Sequence, residues 1–315
     1  MLLIIGGMGF IGMHTVRHVL DAGEDVVIGV HSSRREPDLF KDEIGKRVHI
    51  ANVDVTNPLS IVEAVRKYDV NRIAHMVAPR LGSLSPGDEY RTNMGGLINV
   101  METARICGID RVLVASSQSV YLGLREGPFS EGAPLPLPTS NATEAYKKSF
   151  ETLGSLYASQ TGISVVFMRI GSIYGPLYYS GFNMPSRMTR AAVTGNPPDY
   201  GRGGVPFAED LTDWTYVKDV SKGVQLLSMA GSLNHTVYNI GSGHGTSNQD
   251  VADAVSAAAP GVNFELQPGR SPNWRSDPFM DISRIGEELG YQPQYTIGPA
   301  IAEYAEWMRA TPDWR

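Results

Sequence analysis

Six short apolar runs recur along the first 170 residues: MLLII, DVVIGV, RVHIANV, RIAHMVA, RVLVAS and SVVFMRI. Each is rich in Val and Ile and bounded by turn or charged residues, the pattern of strands buried on both faces. Between them, apolar positions recur at helical spacing over residues 13–22, 58–68, 90–107 and 143–161. Strand–helix–strand units repeated in this way predict an α/β chain with a parallel sheet covered on both faces. Beyond Arg169 the texture changes. Residues 175–215 are dense in Gly, Pro and aromatic residues, which reads as substrate-holding loops beside a rigid sheet. WTYVKDV and VYNIGSG then read as strands, and SNQDVADAVSAAA and IGPAIAEYAEWMR as helices. The expected layout is a sheet domain over 1–170, to which about 213–250 returns, and a smaller, interleaved C-terminal lobe mainly of 171–315.

Composition narrows the functional classes. With 42% hydrophobic and 19% charged residues in 315, the chain can bury a substantial core. A formal net charge of -6 argues against a nucleic-acid partner, which needs a basic field. The one cysteine, Cys107, excludes an intrachain disulfide, and no Cys/His cluster has zinc spacing. The opening MLLIIGG is too short for a signal peptide, and no apolar run reaches the ~18 residues that span a bilayer. The expectation is a cytoplasmic protein acting on a small molecule, with no membrane partner and no bound metal.

The first strand runs into GGMGFIG, which places Gly6, Gly9 and Gly12 between a strand and a helix. Gly6 permits the tight turn, Gly9 lets a pyrophosphate approach the backbone, and Gly12 lets helix and strand pack closely. The helix start, with Phe10 and Ile11, offers N–H groups and positive potential to phosphates. This predicts dinucleotide binding. The second strand ends in HSSRR rather than in an acidic residue. A carboxylate there would bind ribose hydroxyls; His31, Ser32, Ser33, Arg34 and Arg35 suit a 2′-phosphate instead. NADP is therefore favoured over NAD.

The order of further blocks resembles the extended short-chain dehydrogenase/reductase family, of the NAD-dependent epimerase/dehydratase type. GGMGFIG, NVDVTNP, IAHMVAP, NMGGLINVMETA, VLVASSQSVYLG, RIGSIYGP, DWTYVKDV and YNIGSG follow one another as in that family. The resemblance implies a Rossmann-type doubly wound sheet with a smaller C-terminal substrate-binding lobe. It implies that Asp54 and Val55 bracket the adenine, that Val77 and Ala78 run along the cofactor, and that Asn93 belongs to the same site. It also implies a homodimer pairing the helices at 90–107 and 143–161.

The family's catalytic set is a Ser or Thr before the motif tyrosine of the fifth strand block, plus Tyr-x-x-x-Lys on a helix. Four residues before Tyr121 lies Ser117, whose hydroxyl would bind the reacting oxygen. The helix NATEAYKKSFE contains no Tyr four residues before a Lys. Either Tyr146 is the tyrosine and Phe150 replaces the lysine, or Lys147 is the lysine and Thr143 replaces the tyrosine. In the family, Glu, an aromatic residue, Gly and Arg commonly follow the lysine by four, ten, fifteen and twenty-two positions. From Lys147 these fall on Glu151, Tyr157, Gly162 and Arg169; from Phe150 none matches. Lys147 is favoured, with Thr143 at the substituted position. A Thr hydroxyl is too weak an acid to replace a phenol, so Tyr146, Glu144, Tyr121, Tyr178 and Tyr179 remain candidates for proton transfer.

Two functions stay open. The leading one is an NAD(P)-dependent oxidoreductase, epimerase or dehydratase. It would act at a hydroxyl or carbonyl carbon of a sugar, a sugar nucleotide or a related polar molecule, with an atypical acid/base set. The other is a non-catalytic NAD(P)-binding sensor or scaffold, which the missing tyrosine would explain. Arg187, Arg190, Arg202, Arg270 and Arg275 are available to a diphosphate, and Trp214 and Trp274 to a ring.

Overall fold

A computed structural model describes residues 1–33, 37–78, 83–259 and 261–311, without the side chain of Arg202. Seven strands form one parallel sheet: β1 (Leu2–Ile5), β2 (Val26–Val30), β3 (Val48–Asn52), β4 (Arg72–His75), β5 (Arg111–Ser117), β6 (Val165–Ile170) and β10 (Val237–Ile240). Their order is β10-β6-β5-β4-β1-β2-β3. Strand order reverses between β1 and β4, and ligands of such sheets bind in the crevice beyond the carboxyl ends at that point.

Side chains alternate along the strands, as a period of two requires. Leu2 and Ile4 enter one core with α1 (Phe10–Asp21) and α7 (Val217–Met229). Leu3 and Ile5 enter the other with α2 (Pro58–Lys67), α4 (Gly96–Cys107) and α5 (Ala142–Thr161). A short helix, α3 (Pro86–Tyr90), runs through a π-turn at Arg91–Gly95 into α4. No helix among the described residues is long and apolar enough to cross a membrane.

Helix α5 is tied to the sheet by charge. Glu151 accepts from Arg169 of β6 through Nε (3.0 Å) and Nη2 (2.6 Å), and from the Ser116 hydroxyl of β5 at 2.5 Å. Arg169 also donates to Tyr121 Oη at 2.7 Å, which in turn donates to Asn239 of β10 at 2.8 Å. All five side chains are buried. One turn further, Gly154 lies so close to β6 that a Cβ there would sit 2.7 Å from the Phe167 ring.

The smaller lobe packs α6 (Met184–Thr194), α8 (Asn248–Ala258) and α10 (Ile297–Ala310) around Tyr174, Met188, Val251, Ile301 and Tyr304. Two small sheets join it to the large one. In one, β7 (Ser172–Tyr174) pairs with β9 (Trp214–Tyr216); in the other, β8 (Leu211–Thr212) pairs with β11 (Thr246–Ser247). The chain then returns, as α9 (Ser283–Leu289) packs Ile285 into the core shared by α1 and α7. Two elements differ from the sequence expectation. Helix α6 occupies part of the stretch expected as loop, opening on Asn183, whose side chain accepts from Ser186 N, with Pro185 in the first turn. In WTYVKDV only Trp214–Tyr216 is strand; Val217 and Val220 begin α7, where helical spacing buries both.

The ion pair generates a stability prediction. Glu151→Ala leaves the Arg169 guanidinium buried without its carboxylate, which should cost about 3–5 kcal/mol in urea unfolding. A loss under about 1 kcal/mol, the worth of a solvent-exposed pair, would contradict this assignment.

Candidate active site

A cleft of about 870 Å³ runs over the carboxyl ends of β1, β2 and β4 and beside the loop after β3. Gly6, Gly9, Phe10, Ile11, Gly12, His31, Ser32, Ser33, Asp54, Val55, Val77 and Ala78 all line it. Arg34 and Arg35 lie outside the described residues. Gly6 takes φ +91, and a Cβ on Gly12 would lie 2.3 Å from the Gly6 carbonyl oxygen, so neither position accepts a side chain without rearrangement. Helix α1 starts after Gly9 with no side chain capping it. Its first N–H groups and dipole are thus left to an anion. Beside the loop after β3, Asn99 donates to the Val55 carbonyl at 2.8 Å. Asp54 accepts from Thr56 N and Oγ1 and lies 3.8 Å from His31 Nε2. Burial raises the Asp54 carboxyl, but the Thr56 donors and His31 outweigh it and hold it low. Glycine turn, uncapped helix start and apolar walls together fit a dinucleotide.

A second cavity of about 780 Å³ opens toward the small lobe. Ser117 and Thr143 line it, along with Gln118, Ser119, Ser172, Trp214, Trp274 and Arg275. Phe10 and Tyr178 line both cavities, so the two meet there. Ser117 Oγ accepts the N–H of Ser119 at 3.1 Å, which leaves its own proton to donate. Gln118 donates to the Ser172 hydroxyl. Ser119 Oγ and the indole nitrogens of Trp214 and Trp274 are buried without a partner among the described residues. Such donors are costly unless something in the cavity takes them. Ser119 and Gln118 did not stand out from sequence, although they directly follow Ser117.

Lys147 lies beneath these cavities and lines neither. It is buried, its Nζ donates to the Ala115 carbonyl at 2.6 Å, and it sits 4.6 Å from the Phe150 ring centroid. Burial lowers its ammonium to about 8. Burial, and secondarily the Lys147 charge, lowers His75 to about 3. Thr143, one turn before Lys147, is in the first turn of α5.

The other candidates are placed apart from the cavities or are occupied. Tyr146 lines neither cavity and packs against the core on the α4 side of the sheet. Burial raises its phenol, with Glu89 and Tyr90 adding to the effect. Glu144 is buried and accepts from Ser140 N, Ser140 Oγ and Lys148 Nζ. Tyr121 is engaged by Arg169 and Asn239, and burial pushes its phenol up to about 12 against the pull of Arg169. Asn93 is buried in the π-turn and donates to the Glu89 carbonyl at 2.9 Å, away from the cleft wall. Tyr179 lines only the first cavity, with its ring against Trp307. Of the arginines, Arg187 and Arg190 donate to backbone carbonyls, and Arg270 pairs with Glu209. Arg275 alone among them lines the second cavity.

The model of the NAD dependent epimerase/dehydratase family matches residues 2–241. A dTDP-glucose 4,6-dehydratase of Actinoplanes sp. is 27% identical over 99% of both chains. Two solved structures are similar in fold. The dTDP-glucose 4,6-dehydratase of Bacillus anthracis in complex with NAD has a TM-score of 0.83 at 20% identity, over 99% of this chain and 97% of the other. The UDP-glucose 4-epimerase of Thermus thermophilus, also with NAD, has 0.76 at 23%, over 98% and 99%.

The buried lysine makes stability depend on pH in a defined direction. Its folded value of about 8 lies below the ordinary 10.5. Between the two, the unfolded chain holds a proton that the folded chain has released, so stability rises with pH across that window. Relative to Lys147→Met, the cofactor-free wild type should gain up to about 3 kcal/mol from pH 7.5 to 10.5 in urea unfolding. Parallel pH profiles for the two proteins would show that the ammonium is not desolvated.

Proposed function

The chain belongs to the NAD dependent epimerase/dehydratase family, and from that premise we propose that it transfers hydride at a carbinol or carbonyl carbon of a nucleotide-linked sugar. The observation that carries this reading is the meeting of the two cavities. The wall lined by Ser117 and Thr143 adjoins the cleft lined by the glycine turn, and Lys147 lies buried beneath. A nicotinamide dinucleotide, when bound, supplies or accepts the hydride. The protein's part is to hold and polarise the substrate. Ser117 donates its free proton to the reacting oxygen. Thr143 adds a hydrogen bond, and Lys147 a positive charge from beneath the site.

The substrate class rests on Arg275 and the two indoles. Burial and the neighbouring Arg125 both work against the Arg275 charge, and an anionic diphosphate in the cavity would relieve them. The unpartnered Trp214 and Trp274 N–H groups suit sugar or phosphate oxygens. Redox or epimerisation chemistry fits better than loss of water. Elimination needs an acid and a base beside the sugar. Asp210 is the one carboxylate among the described lining residues, and it already accepts the Ser271 N–H at 2.9 Å. NADP remains favoured over NAD, because His31, Ser32 and Ser33 rather than an acidic residue follow β2 and line the cleft, with the Asp54 carboxylate 3.8 Å from His31 Nε2. The relatives named for NAD weigh toward NAD, which makes cofactor choice part of the test. A non-catalytic role is not favoured, since the matched relative is an enzyme by name.

The test is a spectrophotometric assay of purified protein against a panel of UDP- and dTDP-hexoses and their 4-keto forms, with NADPH and NADH. We expect turnover with preference for NADPH, and losses of at least about 100-fold in Ser117→Ala and Lys147→Ala. Unchanged rates in both variants would overturn the site. Tighter binding of NAD than NADP in calorimetry would overturn the cofactor preference.

A homodimer through α4 and α5 belongs to the same reading. These adjacent helices expose Ile98, Ile106, Leu153 and Leu156, an apolar patch of the kind that marks an interface. Sedimentation should show a dimer that Leu153→Glu/Leu156→Glu converts to monomer; a monomeric wild type would refute it.

A further inference from the structure

We propose that Tyr178 delivers the proton to the reacting oxygen, in place of the phenol absent at position 143. The inference rests on the oxidoreductase reading above. Its ground is location. Tyr178 is the one tyrosine lining both cavities among the described residues. Its ring lies 5.0 Å from that of Phe10, the only other residue the two cavities share. A group at that junction borders the glycine-lined cleft and the cavity of Ser117 and Thr143 at once.

The segment carrying it is pinned from three sides. His14 of α1 lies with Nε2 3.0 Å from the Pro176 carbonyl oxygen. Arg190 of α6 donates to the Tyr179 carbonyl at 2.7 Å. Tyr304 of α10 donates to the Tyr178 carbonyl at 3.2 Å. Leu177 between them is buried and takes φ +71, a left-handed conformation that a leucine adopts only where its surroundings impose it. Three helices thus hold this backbone in one place, as positioning a proton donor to within a fraction of an ångström demands.

Chemistry agrees with location. Burial raises the Tyr178 phenol, while Ser180 and the charges of Arg190 and Arg187 pull it back. The phenol is therefore protonated at neutral pH and acts as an acid rather than a base. In reduction, hydride from a reduced nicotinamide dinucleotide bonds to the carbonyl carbon. The C=O π pair moves to oxygen, the Tyr178 O–H bond breaks, and a new O–H bond forms on the substrate. Water then returns a proton to the phenolate. This favours the reductive direction on a keto sugar. Tyr121, Tyr146 and Glu144 do not compete, since none of them lines either cavity.

Tyr178→Phe keeps the ring and removes only the donor. With the UDP- and dTDP-keto-hexose panel and NADPH, turnover should fall by about 100-fold or more. NADP affinity in calorimetry and the melting temperature should stay at wild-type values. In crystals of wild-type protein with NADP and the panel member that turns over, the phenol oxygen should lie about 3 Å from the reacting oxygen. Wild-type turnover retained in Tyr178→Phe would overturn this proposal alone, as would a phenol beyond hydrogen-bond reach. A variant whose turnover falls only in step with its NADP affinity would make Tyr178 a wall and overturn it too. A wild type inactive on the whole panel would overturn the oxidoreductase reading and this proposal with it.

Discussion

The buried pair between Glu151 and Arg169 decides how the site is built. Two charges withdrawn from water cost several kcal/mol each unless nearly every lone pair and proton finds a partner. Here Glu151 takes donors from Arg169 and Ser116, and Arg169 spends its remaining donors on Tyr121 and the Glu131 carbonyl. So demanding an arrangement has one geometry, and it fixes the rotation of α5 about its axis. Residues four apart stack on one helical face. Once Glu151 is turned to the sheet, Lys147 must follow it inward, and Thr143 must stand at the next level up, where it meets the second cavity. Tyr146 is carried round toward the α4 side by the same rotation.

The sheet fixes the rest. Reversal of strand order between β1 and β4 opens a crevice at their carboxyl ends. The glycine turn can enter that crevice only because Gly12 lets α1 approach the Gly6 carbonyl so closely. The small lobe closes the other side through Pro176–Tyr179, which leaves the large sheet after β6 and is held by α1, α6 and α10. The two cavities share a boundary because this loop, through Tyr178, lines both.

This division explains what was readable beforehand. Buried parallel strands announce themselves as Val- and Ile-rich runs, and the glycine turn as a fixed spacing, since both are local consequences of local geometry. The spacing of Lys147, Glu151 and Arg169 was legible for a deeper reason. An ion pair between a helix and the next strand ties their separation in sequence to their separation in space. Helix α6 was hidden by its neighbours Gly, Pro and Tyr, although Asn183 and Pro185 form a recognisable start. WTYVKDV was misread because a short apolar run supports strand and buried helix alike, and tertiary packing chose a split. That Tyr121 is bound to Arg169, or that Tyr178 stands between two cavities, depends on contacts tens of residues apart and leaves no local trace.

If Thr143 stands where the family resemblance implies a tyrosine, the energetics of the whole pocket change. A phenol at 143 could share its ionisation with the Lys147 ammonium, and each would steady the other's charge. Threonine offers no such partner. Lys147 is left with one carbonyl, the Phe150 ring and a neutral His75 that its own charge helps to keep neutral. The buried ammonium therefore keeps its charge at a cost, and negative charge bound nearby would recover part of that cost. Under the proposed role of Tyr178, proton delivery falls to a group fixed by the loop rather than by the helix, and the two tasks that Tyr-x-x-x-Lys joins on one helical face are divided between two elements of the fold.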